Sequence, residues 1–201
     1  MGLGHMRAAY PFRMFLKEGI YLYGINKTTP PEELKIWKKV QRSYYRLSRA
    51  GRIPFIGKFL KRLLDRIESI EPYYPSKDLS KPTVGVKYLK HLTKKKNFFK
   101  NLKYMVKNSE LPILHTFYAT ALAVDNIRKP DRNYLMICDA DFNRVWVREK
   151  PKKSSITYLA PCTQVQWRLE SYGVKPENIF ITGFPLPLEN IGSEENLEIL
   201  K

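Results

Sequence analysis

The sequence predicts an α/β fold: a Rossmann-like parallel sheet with helices on both faces. Three observations predict it. Short apolar runs recur at 111–114, 134–138, 156–160 and 179–181. Helical patterns lie between them at 119–124 and 163–172, and this alternation is that of a parallel sheet covered on both faces. Each run also ends at polar or turn residues: His115-Thr116, Asp139, Pro161 and Thr182-Gly183. In such sheets ligands bind outside the carboxyl ends of the strands, so His115, Thr116, Asp139, Asp141 and Thr182 are expected on one rim.

The chain opens with Gly2-Leu3-Gly4-His5-Met6-Arg7-Ala8-Ala9. Two glycines around one residue read as a tight turn whose backbone comes close to a ligand. Behind them Met6, Ala8, Ala9, Phe12, Phe15 and Leu16 read as a helix, and a helix N-terminus suits phosphate or another anion. His5 falls where the turn becomes the helix, placed to handle a proton. A turn of this kind follows a buried strand, and only Met1 precedes it, so a first strand is expected to be missing. Gly-His-Met is equally what a cloning scar leaves at an N-terminus, and residues 1–6 carry both readings.

Gly19 ends this first helix, and Ile20-Tyr21-Leu22-Tyr23 reads as a short buried strand. Thr28-Thr29-Pro30-Pro31 with Glu32 and Glu33 starts a helix that runs to about Arg49. Its apolar positions Ile36, Val40, Tyr44 and Leu47 recur at helical spacing. After a turn at Gly51 to Gly57, a second amphipathic helix carries Phe59, Leu60, Leu63, Leu64, Ile67 and Ile70. Residues 71–82 read as a loop. Lys94-Lys95-Lys96 and Phe98-Phe99 form a second basic and aromatic cluster, and a helix from Phe98 to Asn108 leads into the sheet. One domain, 1–184, with a basic helical insertion at about 30–107, is therefore expected. Residues 185–201 read as a linker toward a further, absent domain.

The 201 residues are 43% hydrophobic, enough for one sizeable core. No apolar run has the length to span a bilayer, and no secretory signal is visible. Two cysteines, Cys138 and Cys162, both inside apolar segments, argue against a disulfide scaffold or a zinc site and suit a reducing cytosol. The net charge of +17 is concentrated: residues 27–107 hold 22 Lys and Arg against 6 Asp and Glu. A localised basic segment points to a specific anionic surface, phospholipid or nucleic acid. Lys35, Lys38, Lys39, Arg42, Lys58, Lys61, Arg62, Lys94, Lys95 and Lys96, with Trp37 among them, are the candidate membrane-surface residues. The plain alternative is an apolar face on the core and lysines in water.

Three stretches resemble one family. Gly2-x-Gly4-His5-x-x-Ala8-Ala9 is close to its opening glycine-rich turn. Asp139-Ala140-Asp141-Phe142-Asn143-Arg144-Val145-Trp146 matches its Asp and its Trp seven residues on, with Asn143 where the family has His. Tyr172-Gly173-Val174-Lys175-Pro176-Glu177-Asn178-Ile179 through Gly183-Phe184-Pro185 resembles the stretch that closes its first domain. The chain thus resembles the N-terminal, acceptor-side domain of GT-B-fold glycosyltransferases, of the diacylglycerol glycosyltransferase type (monogalactosyldiacylglycerol synthase and processive diacylglycerol glucosyltransferase). The resemblance covers most of 1–12 and 111–187.

The resemblance implies sugar transfer from a nucleotide-sugar, a UDP-sugar, to a lipid or membrane-associated acceptor, with no cofactor and no catalytic metal. It makes His5 the general base and Asp139 the residue that orients it or the acceptor. Gly2 and Gly4 close on the donor diphosphate or acceptor, and His115, Thr116, Asp141, Asn143 and Trp146 contact donor or acceptor. Each has a plainer reading: Asp139 as a helix cap or ion-pair partner, His115-Thr116 as a cap, Trp146 as core. The donor-binding half would lie beyond residue 201, so this chain alone is expected to be inactive. It would be cytoplasmic, peripheral on the inner face of the membrane. The alternatives are an inactive GT-B-like binding module and a basic nucleic-acid-binding protein; the second leaves the strand-end rim without a role.

Overall fold

A computed structural model describes residues 3–16, 19–24, 29–50, 62, 69–72, 77–94, 98–127, 130–187 and 190. The expected second basic helix lies outside them except for Arg62, Ser69 and Ile70, as do Gly2, Lys58, Lys61, Lys95, Lys96 and nearly all of the tail after 187.

Four strands form one parallel sheet: β1 (Ile113–His115), β2 (Asn133–Met136), β3 (Thr157–Ala160) and β4 (Ile179–Ile181), in the order β1-β2-β3-β4. Leu135 stands between His115 and Tyr158, and Tyr158 in turn pairs Ile179. Helices pack around the sheet, a Rossmann-like α/β arrangement. Parallel neighbours need a crossover, and two of the three are helical. They are Tyr118–Val124 between β1 and β2, and Thr163–Ser171 between β3 and β4. The 139–156 crossover uses only single 3-10 turns, Arg144–Trp146 and Pro151–Lys153.

The remaining helices precede the sheet. Among the described residues the helices are, in chain order, α1 (Leu3–Ala9), α2 (Pro31–Ala50), α3 (Val84–Lys94), α4 (Lys100–Lys107), α5 (Tyr118–Val124) and α6 (Thr163–Ser171). Among the described residues none is long and apolar enough to cross a membrane.

Strand alternation sends Leu135, Ile137, Tyr158, Ala160 and Ile179 to one face, where they bury against Ala121, Trp146, Val147, Val165 and Leu169. α6 ends as its sequence dictates. Gly173 takes φ +87°, and the amides of Gly173 and Val174 bond back to Glu170 and Leu169 at 2.8 and 3.0 Å. A β-carbon there would also press on the Ser80 side chain at 3.3 Å.

The long segment before β1 is tied to this core by two buried arginines. Arg144 donates to the carbonyl of Ser80 from Nη2 (2.9 Å) and Nε (3.3 Å), while Nη1 and Nη2 reach the carbonyls of Val147 and Arg148. Arg168 donates to the carbonyl of Glu71. A second, aromatic cluster joins α2, α3, α4 and α5: Phe98, Phe99, Leu92, Ala119 and Ala123 with Tyr23, Ile36 and Trp37. At its centre the buried carboxylate of Glu33 accepts from the Tyr23 hydroxyl (2.7 Å) and the Phe99 amide (2.8 Å). Phe99 needs that hold, since its φ of 61° is unfavourable for a side chain of its size. Burial first, then the carboxylate beside it, pushes the Tyr23 phenol far above its ordinary pKa.

Three expectations fail. Gly4 and His5 are not in a turn: both are inside α1, which begins at Leu3. The first apolar stripe does not bury: Ala8 is covered, but Phe15 and Leu16 are exposed on a 3-10 turn, Tyr10–Phe15. Ile20–Tyr23 is not a strand, and Tyr21 is exposed. Tyr23 is drawn off by Glu33, and the chain turns at Gly24, where φ +86° and the Trp37 ring 3.1 Å from a would-be β-carbon require glycine. The helix α3 is an element the sequence reading did not contain.

Candidate functional site

The site is built where α1 crosses the carboxyl end of β1. The Thr116 hydroxyl, just past β1, donates to the main-chain carbonyl of His5 at 2.9 Å. The imidazole is half-buried, 5.2 Å from the Phe117 ring and 5.8 Å from Trp146 between centroids. Its Nδ1 is buried without a hydrogen-bond partner. Burial is the largest influence on this ring and lowers its pKa from 6.5. The Thr116 backbone and the charge of Asp139 pull the other way without overcoming it. His5 is therefore a neutral base at pH 7, within the electrostatic reach of a carboxylate.

Asp139, three residues beyond β2, is exposed, so its charge stands on the rim. Cys138 beside it donates from Sγ to the Thr116 carbonyl (3.4 Å), and burial pushes its thiol up to about 12. Thr116, at the end of β1, thus joins α1 to two strand ends: its hydroxyl holds α1 and its carbonyl receives the thiol that follows β2. Gly4 sits beside His5 in helical backbone, with nothing near a would-be β-carbon. No demand of the described fold accounts for glycine there.

The other expected site residues are occupied by the fold. Asp141 forms a two-pronged pair with Arg168, Nε to Oδ1 and Nη2 to Oδ2, both at 2.7 Å. Burial raises the Asp141 carboxyl, but those bonds and the guanidinium charge outweigh it and hold the pKa below its ordinary value. Asn143 accepts from the Val145 amide at 3.3 Å and caps the 3-10 turn at Arg144–Trp146. Trp146 is buried among Phe142, Tyr118 and His5, a wall behind the imidazole with no open face for a sugar.

His115 is buried at the end of β1 with Nδ1 3.0 Å from the Thr120 hydroxyl. That hydroxyl donates to the Phe117 carbonyl (2.8 Å), so it accepts from His115, whose proton is on Nδ1. The rim the sequence predicts thus brings His5, Thr116 and Asp139 together, and turns Asp141, Asn143, His115 and Trp146 to structural work. Phe117 and Cys138 were not among the expected site residues. Their signal was position, directly after strand ends.

The candidate surface residues divide in the same way. Lys35, Lys38, Lys39 and Arg42 are exposed along α2, as are Arg62 and Lys94. Trp37 instead packs on Phe98 and Phe99 at 5.0 and 5.4 Å, and its Nε1 is buried without a partner. It faces the aromatic cluster, not a surface.

Two concavities of about 240 Å³ are lined without His5. One lies between the 3-10 turn and 185–187, the other beside Glu32, Lys100 and Tyr104. Set against protein-family models, curated proteins and solved structures, the chain matches none.

Proposed function

We propose that this chain is the acceptor side of a glycosyltransferase that moves a sugar from a nucleotide-sugar to a lipid or other membrane-associated acceptor. The observation that carries the reading is His5, a half-buried imidazole with a depressed pKa and an unpartnered Nδ1, held by Thr116 on the strand-end rim that bears Asp139. A general base must be unprotonated at working pH, geometrically fixed and close to its target proton. Burial supplies the first condition and the Thr116 clamp the second.

In this reading the acceptor hydroxyl gives its proton to His5 as its oxygen attacks the anomeric carbon of the donor sugar, and the nucleoside diphosphate leaves. Asp139 stabilises the imidazolium that forms. The donor is a UDP-sugar that meets the rim from the opposite side. The exposed cations of α2, Lys35, Lys38, Lys39 and Arg42, favour an anionic leaflet, each worth about 1 kcal/mol near such a surface. The protein works at the cytoplasmic face of the membrane.

The test is sugar transfer from UDP-hexoses to a membrane lipid extract by the protein, wild type beside His5→Ala and Asp139→Asn. The expected loss for His5→Ala is about 100-fold or more in kcat, the usual worth of a general base. Unchanged turnover would remove His5 from the chemistry.

A further inference from the structure

We propose that the 3-10 turn Tyr10–Phe15, with the adjoining segment 184–186, is the face by which this protein inserts into an anionic lipid leaflet. This deepens the membrane part of the function proposed above and rests on it. The cations of α2 offer attraction only, because the apolar side of that helix, Ile36 and Trp37, is taken up by the aromatic cluster. An interfacial anchor needs apolar side chains that reach past the headgroups as well as charge.

The turn supplies both. Phe15 is 78% exposed and Met14 66%, with Leu16 beside them. Across a groove of about 240 Å³, Leu186 adds exposed apolar surface, and Phe184, two residues before it, is exposed as well. Large apolar tips gathered about one groove mark an interaction surface. Charge selects the occupant. Residues 3–16 contain Arg7 and Arg13 and no carboxylate, and the Arg13 guanidinium lies 4.8 Å above the Tyr10 ring. One arginine on the turn, a second on the helix that leads into it, and the apolar tips beside them fit an anionic monolayer, with the arginines at phosphate level and Phe15 and Met14 among the acyl chains. The turn follows directly on the helix that carries His5, so insertion would hold that imidazole near the headgroups.

The experiment is flotation of the full chain with phosphatidylcholine vesicles, with and without phosphatidylglycerol. Wild type is expected to float with the anionic vesicles and to release in high salt. Met14→Ser/Phe15→Ser is expected to weaken binding roughly 100-fold, about tenfold for each apolar side chain kept from the acyl region. Its circular dichroism should not change, since both side chains are exposed. Lys38→Glu/Lys39→Glu is expected to weaken binding while the Phe15→Trp reporter still blue-shifts and is quenched by brominated acyl chains. Equal flotation of the serine pair and wild type overturns the proposal. So does an unquenched Phe15→Trp, or a wild-type dimer that the serine pair dissociates, which would assign the face to a second copy. No sugar donor enters these measurements, so they succeed or fail apart from the transfer reading.

Discussion

The hydroxyl of Thr116 and the carbonyl of His5, 111 positions apart in the chain, meet at 2.9 Å. That bond fixes α1 to the sheet at the residue whose side chain the proposed chemistry uses. Thr116→Val keeps the shape and removes the donor. It should cost about 1 kcal/mol of stability, an ordinary hydrogen bond, yet lower transfer more than that loss explains. Thr116→Ser should restore both. Urea unfolding beside the transfer assay separates the two effects.

The depressed pKa of His5 has a definite sign. A folded value below 6.5 means that the unfolded chain binds the proton more tightly. His5 then disfavours the folded state progressively as pH falls below 6.5, and has no such effect well above it. An NMR titration of the imidazole should give a midpoint under 6.5, with the acid limb of transfer activity at the same place. Asp139→Asn removes a charge that favours the imidazolium and should move the midpoint lower still. An unmoved midpoint would place Asp139 outside the site.

Asp141 should behave as a structural carboxylate. Arg168 is 2% exposed and Asp141 29%, so Asp141→Ala strands a buried guanidinium. The expected loss is roughly 2–3 kcal/mol, at or below the low end for fully buried pairs because water reaches one partner. The carboxyl titrates below its ordinary value, so its stabilisation is complete at neutral pH and is lost as acid protonates it. Thermal melts from neutral to acidic pH should show this in wild type and not in Asp141→Ala.

Glu33 gives a prediction remote from the rim. Glu33→Ala leaves the Tyr23 hydroxyl and the Phe99 amide without their acceptor inside an aromatic cluster. A loss of about 3 kcal/mol is expected from two stranded donors. Tyr23→Phe removes one donor to Glu33 and the acceptor of the Leu102 amide (3.2 Å) but leaves the Phe99 amide bonded, and should cost less. Denaturant midpoints of the two variants order these effects.

Cys138 should resist thiol reagents. Burial pushes its pKa up to about 12, so almost no thiolate exists at pH 8. Mass spectrometry after brief alkylation should find Cys138 unmodified in the folded protein and modified in urea.

The sheet was legible because its strands are written as apolar runs: β2 and β3 are largely covered, and β4 keeps the pattern although Phe180 and Ile181 are exposed. β2, β3 and β4 lie within a residue or two of the expected positions. α3 was not legible: Gly85 and three lysines dilute a stripe that Val86 and Leu92 alone bury, and its start depends on Thr83, whose hydroxyl accepts from the Val86 amide. Ile20–Tyr23 is apolar enough for a strand, yet Tyr23 is claimed by a carboxylate ten residues on. The rule about strand ends placed Thr116 and Asp139 on one rim; His5, which lies in α1, joins them through the Thr116 hydroxyl. Which rim residues stay available did not follow, because pairing is a three-dimensional fact: Arg168 takes Asp141 from 27 positions away.

Arg144 and Arg168 grip the preceding segment through the carbonyls of Ser80 and Glu71, groups that every amino acid possesses. Such a junction is indifferent to side-chain identity at the gripped positions. The basic segment could therefore exchange its surface freely over evolutionary time and remain docked, provided that the two arginines and the path of the main chain persist. Diversity in what this protein touches need never disturb how it is anchored.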